Sequence, residues 1–530
     1  MPLHRNLVLI LLLAGMAGGP LLALPDQDDP GVSALSSVAT VHDYPRGSAI
    51  DWHSWGAGSR ESARRADKGL FVYFHGQWCT WCRQYQEQTL EHPATVAAIE
   101  ARYVPVLVNL DQRRDLFTRL GGRGVPYTVL MDAAGQPLAR FTGHVSAADL
   151  QQLLRETADQ LVTAAAVPAG MESLLDGGPE AFLAFLDETY DPAQQRLSGA
   201  SIIGALSKRP QPLTYLLLLH EPAWAGRIPG MLDVLREQLH DPVDGGFFFF
   251  HDSEQPEPAD RTETSKVLGL NARLIWLFAE ACHELGRERD AQVVRDSLNY
   301  LRTVLWNDSH GTFRGSQASD PEYYAAPARV RAELMPPPVE QVQYADVSGQ
   351  AIVALIRAAR ALDEPGYLRW AGRALAGLDA RLRHPDGGYY HYRPDGGAPQ
   401  LAHYLPAQVW PAAAWWLYYA ATGDAQAKAR GSQLLERIAA YYDASLGGFA
   451  ERLDPSLRPW AESGTHAALA WMLAVPAGAS VVPDAVLPPE RREQWMNAAL
   501  DQLQLISGGD PDDMALGVLA QRRMQRQEGQ

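Results

Sequence analysis

Cysteine is scarce, with three in 530 residues. A structural zinc site needs four ligands, and neither a second C-x-x-C nor a clustered His pair follows the first motif. No metal is therefore expected, and no cofactor. Positive charge is also short: 46 Lys and Arg stand against 62 Asp and Glu, a net charge of −16. That balance excludes nucleic acid and an anionic membrane surface as partners. Strand-like sequence almost disappears after Pro179. An apolar fraction of 46% is nonetheless ample for folded cores, and 530 residues imply two or more domains.

Met1–Leu24 has a basic start at Arg5, an apolar run from Leu7 and small residues after it. This is the pattern of a secretory signal peptide. Cleavage after Ala23 fits, although Leu21 is a poor residue for that site. The run is also about long enough for an uncleaved anchor, which Gly18, Gly19 and Pro20 weaken. No cysteine follows, which argues against a lipoprotein. Export to an oxidising compartment is expected, periplasmic or secreted, with an anchored form as the variant. Low lysine use beside abundant Arg and Ala favours the periplasm. Residues 25–50 read as a linker, polar and rich in Asp, Ser and Pro.

The chemistry-bearing stretch is Gly69–Cys82, GLFVYFHGQWCTWC. Leu70–Phe74 is a short apolar, aromatic and β-branched run between glycines, which predicts a buried strand. A helical polar run, Arg83–Leu90, follows the C-x-x-C. Cys79 then sits at a helix N-terminus, where free N–H groups and the dipole stabilise a thiolate. Cys82 lies one turn on, within reach of a disulfide. This is the pattern of a thiol–disulfide exchange site.

The following segments predict strands at Tyr103–Leu110 and Tyr127–Met131, a turn at Asp132–Gly135, a strand ending at Phe141–Gly143, and a helix from Ser146. With a first helix at Ser59–Lys68, this order resembles the thioredoxin fold over residues 51–162. The resemblance implies that Pro126 is cis and faces the dithiol, leaving the backbone at Val125 free to pair with an extended substrate. Trp78 and Trp81 would cover one side of that groove. One departure stands out: a buried Asp on the strand before the dithiol is replaced by Tyr73. His75 and Trp78 are the groups left to tune Cys79.

From 179 to 475 long Ala/Leu/Trp segments carry helical periodicity. On Asn271–Leu285 the apolar residues fall on one face, which makes Cys282 a core thiol. A turn recurs between helices: Asp244-Gly245-Gly246-Phe247, His310-Gly311-Thr312-Phe313, Asp386-Gly387-Gly388-Tyr389 and Leu446-Gly447-Gly448-Phe449, with a degraded copy near Tyr190–Gly199. Such recurrence suggests a closed ring of paired helices. Residues 476–530 read as a C-terminal helical tail.

Export signal, thioredoxin-like unit and helical ring together resemble the thioredoxin-domain family that includes the spermatogenesis-associated homologues. Its second half is an (α/α)6 toroid, similar to N-acylglucosamine epimerases and six-hairpin glycosidases. The residues carrying the resemblance are Cys79-x-Trp81-Cys82, Gly124-Val125-Pro126, Asp241-x-x-Asp244-Gly245-Gly246-Phe247, Lys266, Asn271, and Gly311-x-Phe313-x-Gly315-Ser316-Gln317 with Glu322-Tyr323-Tyr324. Where the family carries His and Glu before that Asn, this chain has Glu263 and Ser265; Ala318 replaces an Asp, while Asp320 remains. Asp244, Glu263, Asp320 and His403 are the candidate toroid cleft. Trp410, Trp415, Trp416 and Trp460 are read as core at their helical spacing.

The reading is an exported thiol–disulfide oxidoreductase, with Cys79 and Cys82 catalytic and the toroid a scaffold or binding domain. Its partners are client protein thiols or disulfides and a redox partner. The alternative is a carbohydrate-active ring enzyme, epimerase- or glycosidase-like, with an accessory thioredoxin-like unit.

Overall fold

The computed structural model describes residues 48–122, 124–133, 135–158, 178–197, 210–252, 262–445, 447–453, 463–474, 482–505 and 511–528. The expected export segment, most of the expected linker and Trp460 lie outside them. The chain divides into two compact units at Ala169/Gly170.

The first unit is built on a five-stranded sheet in the order β1-β3-β2-β4-β5, with β1 His53–Ser54, β2 Gly69–His75, β3 Tyr103–Asn109, β4 Tyr127–Met131 and β5 Pro137–Thr142. Strand β2 lies in the middle, parallel to β3 and antiparallel to β4. All seven of its residues are buried. Both faces are covered, so its sequence runs apolar instead of alternating. Around the sheet lie α1 Ala57–Ala66, α2 Thr80–Tyr85, α3 Pro93–Arg102, α4 Arg114–Arg119 and α5 Ala147–Ala158. Helix α2 runs on into a wider π turn, Gln86–Leu90. Ser146 caps α5 by accepting the Asp149 N–H at 3.2 Å.

The second unit is helical. In chain order it has α6 Gly178–Thr189, α7 Pro212–Leu219, α8 Ile228–Leu239, α9 Leu268–Leu285, α10 Glu288–Tyr300, two short helices α11 Pro321–Ala325 and α12 Ala328–Arg331, then α13 Ala345–Ala361, α14 Pro365–Leu382, α15 Pro406–Thr422, α16 Ala425–Ala439, α17 Ser463–Leu473, α18 Pro489–Leu505 and α19 Pro511–Glu528. Among the described residues, α7, α9, α13, α15, α17 and α19 each pack on the next, and α19 returns to α7. Outside them α6, α8, α10, α14, α16 and α18 pack on α19, α7, α9, α13, α15 and α17. Outer and inner helices thus alternate along the chain, closing a six-hairpin ring.

This corrects the reading of residues 476–530 as a tail. Helices α18 and α19 are the sixth hairpin, and Leu503, Met514, Leu516, Val518 and Leu519 lie in the core. The ring does not close without them. Cys282 is only half-buried, on the flank of α9 rather than in the core.

The recurring turns do one job. Each closes a small hairpin after an outer helix: Tyr190–Asp191 with Arg196–Leu197, His240 with Phe247, Trp306–Asn307 with Thr312–Phe313, Arg383 with Tyr389, and Tyr442–Asp443 with Gly448–Phe449. Each turn then leans on the next outer helix. Gly245 has φ +76°, and a Cβ there would stand 2.2 Å from the Asp296 carbonyl oxygen of α10. The turn at Gly311 approaches Gly377 of α14 so closely that a Cβ on Gly377 would lie 2.0 Å from the Gly311 oxygen. Glycine is required at both for contact, and at Gly245 for backbone angle as well.

Candidate functional site

In the first unit β2 delivers the chain to α2, and the two cysteines fall at that junction. Cys79 is the N-cap of α2, and the Cys82 N–H donates to its Sγ at 3.1 Å. The residues form a disulfide, with Cα atoms 5.3 Å apart. Cys82 is wholly buried, while Cys79 is 3% exposed. Both residues of the pair are thus enclosed. Trp81 is half-buried and Trp78 is buried. The Val125–Pro126 peptide bond is cis. Pro126 is buried, Val125 half-buried, and the Pro126 carbonyl accepts the Gly143 N–H at 2.8 Å.

The groups around the dithiol are mostly held in place. The Tyr73 hydroxyl donates to the Cys82 carbonyl at 3.1 Å, a positioning bond where the fold's usual Asp would bring an ionisable carboxyl. Trp78 Nε1–H donates to Asp111 Oδ2 at 2.8 Å. Asp111 lies just beyond β3, at the end of the hydrophobic stretch Tyr103–Asp111 that also carries the family resemblance. Burial pulls the His75 imidazole from 6.5 down to about 3, so it is neutral at physiological pH. It therefore brings no positive charge to Cys79.

In the ring, each of the four candidate cleft residues is engaged by partners of its own. Asp320 caps α11, accepting the Tyr323 N–H at 3.0 Å. Glu263 is buried in a two-residue strand paired with Phe250–His251. Asp244 accepts from Arg331 Nη1 at 2.9 Å. His403 lies elsewhere, facing Asp386 and His384. Trp410, Trp415 and Trp416 are core residues.

Several resemblance residues converge instead on a buried ion cluster. Lys266 Nζ donates to Asp241 Oδ2 and to the Gly245 carbonyl, both at 2.7 Å. Its ammonium faces the rings of Phe248, Tyr300 and Tyr324, with centroids at 5.1, 4.6 and 4.7 Å. Arg331 of α12 reaches both Asp241, at 2.8 Å, and Asp244. Burial lowers Lys266 to about 8, against the pull of Asp241. Burial also opposes ionisation of Asp241, yet Lys266 and Arg331 hold its carboxyl below the usual range. Lys266 and Asp241 are fully buried, while Asp244, which shares Arg331 with them, keeps 30% of its side chain exposed.

A family model described as a thioredoxin-like domain matches residues 59–158. This segment is a thioredoxin-like domain. The chain also shares 24% identity over 102 residues with Spermatogenesis-associated protein 20 of Rattus norvegicus, covering 18% of this chain and 13% of that protein. It shares 27% over 67 residues with a protein of Caenorhabditis elegans, 13% of this chain and 9% of that one. These matches span a small part of either relative. Beyond the thioredoxin-like domain, the toroid has the fold of a D-mannose isomerase: TM-score 0.51 at 12% identity, covering 68% of this chain and 100% of the isomerase. At that identity the likeness is one of fold alone.

Proposed function

We propose that the chain is an exported thiol–disulfide oxidoreductase whose toroid serves as scaffold or binding domain. The observation carrying this reading is the Cys79–Cys82 pair at the start of a helix in a domain with a cis Val125–Pro126 bond. Reduced Cys79 attacks a client disulfide; one client sulfur leaves as a thiolate and a mixed disulfide forms. Cys82 then attacks the Cys79 sulfur, releasing the second client thiolate. The client gains two electrons and the dithiol closes. From the oxidised form the same steps run in reverse. Trp78, Trp81, Val125 and Pro126 shape the groove where a client protein docks, and a separate redox partner resets the pair. Met1–Leu24 sends the protein to the periplasm or beyond, free or anchored.

Insulin reduction by wild type and Cys79→Ser tests the assignment. Loss of turnover in the variant is expected; equal rates would remove the redox reading. Cys82→Ser is expected to stall on clients as a trapped mixed disulfide.

A second reading, a carbohydrate-active ring, rests on the fold shared with D-mannose isomerase. Asp244 and Asp320 are already engaged in an ion pair and a helix cap, which weighs against it. A glycan-binding screen separates the two: a sugar response that survives Cys79→Ser would favour the ring enzyme.

A further inference from the structure

One ring turn departs from the pattern of the others. In each hairpin a polar residue at the turn's start accepts a backbone N–H from two or three residues on. Asp191, Asp241, Asn307 and Asp443 do so, from Ala193, Val243, His310 and Ser445. These are Asx turns, and a short carbonyl or carboxylate suffices. In the remaining turn the position is His384, whose Nδ1 meets the Asp386 N–H at 3.3 Å. An imidazole is a bulky way to make that contact. Its second consequence is to bring Nδ1 within 2.8 Å of Asp386 Oδ1. On the far arm of the same loop, His403 places Nδ1 3.5 Å from Asp386 Oδ2. The two imidazole rings are 5.0 Å apart.

We propose that His384, Asp386 and His403 bind a divalent transition-metal cation of the zinc class. Potential ligand atoms of the three residues all lie within 4.8 Å of one another. Ligands about 2.0–2.2 Å from a tetrahedral Zn2+ stand roughly 3.3 Å apart. The two nitrogen–oxygen separations already bracket that spacing, and the half-exposed His403 has room to adjust. The Asp386 N–H approaches the same nitrogen at 3.3 Å, a contact that metal binding at Nδ1 would replace. At 2.8 Å from Asp386 Oδ1, His384 Nδ1 carries a proton in the metal-free chain, and a metal cation would take that proton's place.

The surroundings narrow the choice of ion. Tyr390 packs edge-on against His384 at 4.7 Å and fixes the ring. The Gly388 N–H donates to Asp386 Oδ1 at 2.9 Å. Arg437 of α16 sits 2.6 Å from Asp386 Oδ2, so it competes for that oxygen while holding the carboxylate in place. Two imidazoles and one shared carboxylate suit zinc, cobalt or nickel; Ca2+ and Mg2+ need more oxygen than this site offers. Three protein ligands leave a coordination position for water or an outside ligand. The sequence expectation of no metal looked for cysteines and close His pairs, and this set forms only when the loop between α14 and α15 folds back.

The test uses the full chain, metal-stripped and with the dithiol oxidised so that its sulfurs cannot bind. Calorimetric titration with Zn2+ is expected to show one site per chain. His384→Asn restores the residue type found at Asn307 and so keeps the turn. His403→Asn suits the positive φ of 58° at that position. Each variant is expected to bind about 100-fold more weakly or worse, since loss of even an outer partner costs 10- to 100-fold. Their metal-free unfolding should match wild type. Cobalt supplies a second readout, a ligand-field absorption band present in wild type and lost in both variants. Absence of a stoichiometric site in wild type, or wild-type affinity in both variants, overturns the proposal.

Discussion

The two units use their polar residues in opposite ways. In the thioredoxin-like domain, the reactive pair is contiguous in sequence and stands where a strand meets a helix. Its supports come from the strand that leads into it and from the neighbouring strand end: Tyr73 on Cys82, Asp111 on Trp78. In the ring, polar residues far apart in sequence converge on one another. Arg331 reaches Asp241, and Asp512 reaches the start of α7. The first arrangement places groups for chemistry; the second closes a circle of helices. Where a ring turn breaks its own rule, at His384, a ligand site is proposed.

The sharpest division between the units is made at the sulfurs. Cys79→Ser is expected to lower disulfide reduction to background, the largest effect of any single change considered. The same variant should leave the thermal unfolding of the ring unmoved. A shift in both would mean that the dithiol also braces the fold.

The reverse experiment is Lys266→Ala. It leaves Asp241 buried with Arg331 as its remaining cation and opens a gap among three aromatic rings. Breaking a buried pair of this kind costs about 3–5 kcal/mol. Chemical denaturation should show that loss in the ring, while insulin reduction per folded molecule stays at the wild-type rate.

The third test concerns acid. His75 has a folded pKa of about 3 against 6.5 unfolded. Below pH 6.5 the unfolded chain takes up a proton that the folded domain refuses. Stability therefore rises with pH across this window and is lost as pH falls from 6.5 toward 3. At pH 5 the cost is about 2 kcal/mol. His75→Gln removes this slope. Denaturation of the thioredoxin-like domain at pH 7 and pH 5 should show a smaller drop in the variant, and equal drops would rule out the buried histidine as the cause.

The comparison also explains what the sequence could reveal. The dithiol, the flanking strands and the Val-Pro step were legible because each is a short run with its own period or motif. The five ring turns were legible by recurrence. The sixth hairpin was not: α18 carries Glu, Arg, Gln and Asp around one apolar stripe, so its Trp495, Met496 and Leu503 do not announce a core helix. The Lys266 cluster was visible as scattered resemblance residues, but Arg331, its other cation, belongs to no motif. Asp244, Glu263 and Asp320 were read from the resemblance and His403 as a polar loop residue, and neither reading reports which neighbour a folded loop supplies.

The smallest effect tests the same contrast through helix caps. In the thioredoxin-like domain Ser146 caps α5 from three residues away. In the ring, α7 has no side-chain cap of its own at Gln211. Its first free N–H groups, on Leu213 and Thr214, donate to Asp512 Oδ1 at 2.7 and 2.8 Å, across the seam where α19 meets α7. Each cap is worth about 0.5–2 kcal/mol. Ser146→Ala should fray only the first turn of α5. Asp512→Ala loses a similar energy but leaves two buried N–H groups unpaired on one helix and frees the start of another. Hydrogen exchange distinguishes the outcomes: faster exchange in both α7 and α19 is expected for Asp512→Ala. If only α19 loosens, the seam is held by apolar packing, and the carboxylate is a local ornament of its own helix.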